Sequence, residues 1–148
     1  MKITTVIDKN REEEIVIYLK EDNELARKIE ALLNGTSTEI IGYRDENMKI
    51  IRHGEAVCFT IIDSKVYCIT ENGRYRVKER LFELCEILGD NFVKINQSCL
   101  ANTEKIKGFS ASVTGSLKVL FVNGYTDYVS RRQLRTVKEK FGIIPKKR

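Results

Sequence analysis

A mostly β protein with short helices, preceded by a small N-terminal βα element, is the fold class that this sequence predicts. Two observations carry it. From Glu39 onward, the runs IIGYR, MKIIR, AVCFTIID, KVYCIT and GRYRVK are short, rich in β-branched and aromatic residues, and separated by the polar breaks DEN, HGE, DSK and ENG, the pattern of strands joined by tight loops. Before Glu39 the chain offers one strand-like run and one helical run instead. A composition of 42% apolar and 32% charged residues is that of a soluble globular protein. A length of 148 residues suits one domain of about 100 residues with an N-terminal extension.

Taken in order, EEEIVIYLK at residues 12–20 sets Ile15, Ile17 and Leu19 on one side of an extended chain and Val16 and Tyr18 on the other. With both faces apolar it reads as a strand packed into something. In NELARKIEALLNG, Leu25, Ile29, Leu32 and Leu33 recur at helical spacing, Asp22 or Asn23 is placed to cap the first amides, and Gly35 follows the last turn. That predicts a helix of about three turns. The polar TSTE beyond it is the expected linker, which divides an N-terminal extension, residues 1–45, from a main domain, residues 46–148, with the boundary near 36–45. Within the main domain, KERLFELCEIL carries Leu81, Leu84 and Leu88 on one face and ends at Gly89, a short amphipathic helix. Strands resume with FVKI, KIKGFSASV and SLKVLFV; Asn123-Gly124 then predicts a two-residue hairpin turn with positive φ at both positions, and YTDYV runs back. SRRQLRTVKEKFG closes the fold as a helix with Ser130 as N-cap and Leu134, Val137 and Phe141 on one side, before Gly142 and the basic tail PKKR.

Several function classes are excluded early. His53 is the single imidazole, so histidine triads and multi-histidine metal sites are absent, and there is no Walker lysine loop, GxGxxG or HExxH. Cys58, Cys68, Cys85 and Cys99 form no CxxC pair and sit among apolar residues, which marks them as buried small hydrophobes rather than metal ligands. We therefore expect no enzyme, no cofactor, no metal and no small-molecule substrate. No run is long and apolar enough to span a bilayer, and the start MKITTVIDKNREEE lacks the apolar region of a secretory signal. The cytoplasm is the expected address.

The net charge of +5 is unevenly spread: residues 1–45 carry −3, residues 46–90 carry −1, and residues 91–148 carry +9. A positive excess confined to one block is the electrostatic footprint for a polyanion. Lys94, Lys105, Lys107, Lys118, Arg131, Arg132, Arg135, Lys138 and Lys140 can neutralise phosphates and release counterions. Choice among sequences needs groups that match base edges: arginine pairs with guanine O6 and N7, and an amide pairs with adenine N6 and N7. Asn96-Gln97-Ser98 follows FVKI as a polar loop, and Arg131-Arg132 stands where a strand gives way to a helix. Taken alone, the first reads as an ordinary polar turn. Two arginines in a first helical turn, where the helix dipole disfavours cations, ask for an anion. The alternative class is a protein-interaction module whose basic face meets an acidic partner; RNA is a weaker candidate, because the basic block lacks an array of stacking aromatics.

The ordered set AVCFTIIDSKVYCIT, YRVKERLFELCEIL, NFVKINQSCLANTEKIKGF, the NG hairpin and YVSRRQLRTVKEKFG resembles, from about Glu46 to Gly142, the LytTR (LytR/AlgR-type) DNA-binding domain of bacterial transcription regulators. Members typically carry an F-x-R-I-H-R/K/N-S-x-x-V-N segment, an NG hairpin and V-S-R-R. The resemblance implies an elongated domain of several small sheets whose loops enter successive major grooves of double-stranded DNA, with no recognition helix. It implies base contacts at Gln97, with Asn96 at the usual histidine, Lys94 at the usual arginine and Ser98 alongside; at Arg132, with Arg131 beside it; and in the loop near Ser64 and Lys65. Lys105 and Lys107 are expected on the phosphate backbone. The extension is far too short for a phosphoreceiver domain, so the chain looks like the stand-alone regulators of this family, some of them restrained by a membrane-bound inhibitory protein. A homodimer is expected, with the extension as its dimerisation or signal-receiving part.

Overall fold

The computed structural model describes residues 2–33 and 39–145. Two compact units divide the chain, Met1–Thr36 and Ser37–Arg148. In the first, α1 spans Glu24–Leu33. Asn23 is the residue that caps it: its Oδ1 accepts the Ala26 N–H at 3.0 Å, which satisfies one of the orphan amides of the first turn. Asp22 pairs instead with Arg27.

The strand expected at residues 12–20 does not form, and the N-terminal element is a helix preceded by chain without regular secondary structure. A strand is defined by its neighbour, and none is present; among the described residues, the single backbone hydrogen bond between backbone groups ahead of α1 runs from Arg11 N to Asp8 O, at 3.4 Å. The alternation is nevertheless expressed. Ile15, Ile17 and Leu19 turn toward Ala26 and Ile29 of α1, where together they line a shallow recess. The expected Gly35 helix stop and most of the TSTE linker lie outside the described residues, as does the end of the PKKR tail.

The second unit is built from ten strands in two antiparallel sheets. The strands are β1 Glu39–Arg44, β2 Asn47–Arg52, β3 Ala56–Ile62, β4 Lys65–Thr70, β5 Gly73–Arg76, β6 Phe92–Asn96, β7 Cys99–Asn102, β8 Ile106–Ala111, β9 Leu117–Phe121 and β10 Thr126–Val129. The larger sheet has the order β2-β1-β5-β4-β3-β7-β6 and the smaller β10-β9-β8. Helix α2, Leu81–Leu88, follows β5, and α3, Arg131–Lys140, closes the fold. None of the described helices is long and apolar enough to cross a membrane.

Both faces of the larger sheet are covered. On one, Ile40, Ile51, Phe59, Cys68, Leu100 and Phe92 pack with Leu81 and Leu84 of α2. On the other, Val57, Cys58, Val93, Ile95, Cys99 and Ala101 pack with Val119, Phe121 and Val129 of the smaller sheet and Val137 of α3. Each large side chain buried this way contributes about 1.5–3 kcal/mol. Strand β7, CLAN, is buried at every position; because both its faces are covered it shows no alternation, and the sequence pattern passed over it. Gly42 in β1 is a close-approach residue: a Cβ there would stand 2.5 Å from Ile51 Cδ1 and 2.7 Å from Tyr75 Cβ.

The hairpin at Asn123-Gly124 is present with a different turn. Only Gly124 takes positive φ, at 86°, while Phe121 N bonds Tyr125 O at 2.9 Å and Gly124 N bonds Phe121 O at 3.0 Å. That is a three-residue loop ending in a left-handed glycine.

Candidate nucleic-acid interface

Three turns meet at one end of the larger sheet. The β3–β4 hairpin closes with Ile62 opposite Lys65, so Asp63 and Ser64 form a two-residue turn with φ of 50° and 66°. The β6–β7 hairpin closes with Asn96 opposite Cys99, leaving Gln97 and Ser98 at its tip. β3 and β7 are neighbours, with Thr60 opposite Cys99, and Ile61 N donates to Ser98 O at 2.8 Å. Two strand spacings separate the centres of the two hairpins, about 10 Å. The third element arrives from the smaller sheet, where Ser130 N donates to Ile95 O at 2.9 Å; this seats the start of α3 beside β6. Ser64, Lys65, Gln97, Ser98, Arg131 and Arg132 are all exposed there.

Ser130 occupies the N-cap position of α3, but its hydroxyl makes no capping bond. The Gln133 N–H donates instead to Ser130 O at 3.0 Å, and the amides of the two preceding residues face outward for an external acceptor. Arg131 and Arg132 flank them, and an anion at that end of a helix is favoured by dipole and guanidinium alike.

Asn96 takes a different part from the contact expected of it. It is 3% exposed. Its Oδ1 accepts the Ser98 N–H at 2.8 Å, and its Nδ2 donates to Asp127 Oδ1 at 3.0 Å and to Tyr128 O at 2.8 Å. Both of its amide hydrogens are taken, its oxygen is engaged once, and burial keeps the remaining lone pair from solvent. What it does is tie the β6–β7 turn to β10, and so fix Gln97 relative to Arg131 and Arg132. Asp127, which the sequence reading did not single out, completes this clamp, since its Oδ1 also accepts the Tyr128 N–H at 2.8 Å. The signal was available: Asp127 is an isolated carboxylate inside a strongly basic block. Asn102 plays the matching part at the other end of β7, with Nδ2 donating to Ala56 O at 2.8 Å and Oδ1 accepting the Glu104 N–H at 3.1 Å.

Lys105 and Lys107 are not brought to this end. Lys105 follows β7 at its far end and lies 3.9 Å from Glu71, in the β4–β5 turn beyond the Thr70–Gly73 pair. The length of a strand of this size, about 20 Å, separates that turn from the β3–β4 turn. Lys107 is exposed near the start of β8, by the β9–β10 turn, since Ile106 is opposite Phe121. Lys94 is exposed on β6, and its charge acts on the Cys85 thiol of α2, which burial pushes up. Lys118 stands opposite Tyr128, nearer the convergent turns. The β8–β9 loop shares that end, because Ala111 and Val129 both face Leu117.

Three of the four cysteines are inside, and Cys85 on α2 is half-buried rather than buried as expected. Cys58, Cys68 and Cys99 are buried and unbridged. Burial pushes the Cys68 thiol up, and a hydrogen bond with Cys58, followed by burial, does so for Cys99; uncharged thiols are poor nucleophiles and poor metal ligands. Among the described residues, no group of three or more His, Cys, Asp or Glu could hold a metal ion.

Against known proteins, residues 46–142 match the family described as the LytTr DNA-binding domain. An uncharacterized HTH-type transcriptional regulator of Staphylococcus aureus strain NCTC 8325 is 28% identical over 146 residues, which cover 97% of this chain and 99% of the relative. Its counterpart in strain MSSA476 is 29% identical over the same coverage. Among solved structures, the LytTr DNA-binding domain of a protein described as a methyl-accepting/DNA response regulator from Bacillus cereus superposes with a TM-score of 0.67 at 18% identity, over 70% of this chain and 96% of that one.

Proposed function

Because this chain belongs to the LytTR family of DNA-binding domains, we infer that it is a DNA-binding transcription regulator, and we propose that it reads duplex DNA sequence-specifically through the convergent turns. The observation that carries this reading is the exposed set Ser64, Lys65, Gln97, Ser98, Arg131 and Arg132 at one end of the sheet, anchored by the Ile61–Ser98 and Ser130–Ile95 backbone bonds. Gln97 offers the donor–acceptor pair that suits adenine, Arg132 the fork that suits guanine, and Lys65 and Arg131 hold phosphates. Hairpins about 10 Å apart are commensurate with a major groove about 12 Å wide. Asn96 acts as a positioning residue, and Lys105, paired with Glu71, has a minor part.

A helix-turn-helix needs two helices joined by a short turn, whereas α2 and α3 are separated by β6 to β10. Reading by loops is therefore the mode that suits this fold. The regulator would act in the cytoplasm, as a homodimer on paired sites.

The test is fluorescence anisotropy on a duplex selected from genomic fragments and on a random duplex, at two salt concentrations. Arg132→Ala is expected to weaken the selected duplex by about 1–3 kcal/mol, roughly 5- to 150-fold, and the random one far less. Equal losses on both duplexes would remove Arg132 from base reading, and steep salt dependence without any sequence preference would reduce the protein to a non-specific binder.

A further inference from the structure

We propose that the segment Glu14–Lys20 is one half of an intermolecular antiparallel ribbon, with a second copy of the chain as its partner and Ile17 on the two-fold axis. The proposal rests on the dimer reading above and names its interface. Ile15, Val16, Ile17, Tyr18 and Leu19 are all exposed, Tyr18 at 92%, and among the described residues no backbone group from residue 12 to residue 22 bonds another backbone group. Five consecutive large apolar residues with unpaired amides and carbonyls are a template for strand addition.

Charge and register identify the occupant. A two-fold pairing centred on Ile17 sets Glu14 opposite Lys20, Ile15 opposite Leu19 and Val16 opposite Tyr18. Within Glu14–Lys20 every apolar residue then meets an apolar residue and each end carries an opposite-charge pair, twice over by symmetry, while just beyond it Glu13 meets Glu21. Neighbouring registers lose this. Centring between Val16 and Ile17 puts Glu14 against Leu19; centring on Val16 puts Glu13 against Leu19; centring on Tyr18 puts Ile15 against Glu21 and Val16 against Lys20. Parallel pairing stacks Glu12, Glu13 and Glu14 on their own copies. The Ile17-centred register, like any register centred on a residue, also keeps Ile15, Ile17 and Leu19 of both copies on one face, the face that meets Ala26 and Ile29 of α1 in the recess. The product is a two-stranded ribbon under two helices, which covers the Ile15, Ile17 and Leu19 face and pairs Val16 with Tyr18 across the strands on the other. Lys20 has no ion partner among the described residues, and Glu14 has only Arg11, at 4.0 Å on the surface.

The full chain is examined by sedimentation equilibrium and by oxidative crosslinking, with circular dichroism to check that each variant folds. Lys20→Glu, and equally Glu14→Lys, is expected to weaken dimerisation about tenfold or more, and the double charge swap to restore it. In a Cys85→Ser background, Ile17→Cys should crosslink to itself, because opposed residues of an antiparallel pair lie within disulfide reach; Tyr18→Cys, opposite Val16, should not. A dimer that ignores both charge changes and does not crosslink through position 17 overturns the ribbon and leaves the dimer reading standing. A chain that stays monomeric at tens of micromolar and on its duplex overturns both, and assigns the open edge to a strand of another protein.

Discussion

The two units treat similar residues in opposite ways. In Ser37–Arg148, a strand such as β3 has neighbours on both sides and its Phe59 is fully buried; in Met1–Thr36, a segment of equal apolar character lies open, with Ile15 at 65% exposure. The same contrast recurs between adjacent side chains, where Asn96 spends its amide inside the molecule and Gln97 presents an equivalent amide to solvent. Groups that the chain satisfies by itself hold the fold. Groups it leaves unsatisfied point to what it binds.

The sharpest way to break this contrast is to truncate matched apolar residues. Phe59→Ala should cost about 3–5 kcal/mol in urea unfolding, while Ile17→Ala, in protein diluted below its dimer range, should stay within about 0.5 kcal/mol of wild type. Comparable losses would mean that the first unit has a core of its own. Among the amides, Asn96→Ala should cost about 1–3 kcal/mol, because the Ser98 N–H and the Tyr128 carbonyl lose their partner and Asp127 loses one of two, and specific duplex binding should fall with it. Gln97→Ala should leave the melting curve alone and relax base preference at one position; a stability loss there would erase the distinction. A small gain rather than a loss is expected at Ser64, held at a φ of 66°. Ser64→Gly should raise stability by about 0.5–1 kcal/mol, read as an upward shift in Tm.

Much of this was legible in the sequence because it depends on local pattern. Short β-branched runs marked nine of the ten strands, helical spacing marked all three helices, and the split of charge located the basic block. The failures share a cause in distant partners. Residues 12–20 have the alternation of a strand but no neighbour to pair with, and β7 has neighbours but no alternation, being covered on both faces. At Asn123-Gly124 the dipeptide marked the hairpin but not its geometry, which the Phe121–Tyr125 bond sets. The candidate site divides likewise. Composition and resemblance indicated Gln97 and Arg132, but their convergence follows from the β3–β7 pairing and the Ser130–Ile95 bond, which join residues far apart in the chain. That Asn96 turns inward and Gln97 outward depends on Asp127, and two neighbouring amides look alike until that carboxylate is in place.

The clamp at Asn96 also bears on how such regulators diversify. The shape of the turn is dictated by a neighbour, so the side chain at position 97 is free of any folding duty. On the reading proposed above, a duplicated gene would acquire a new operator through a single codon change, inheriting its architecture unaltered.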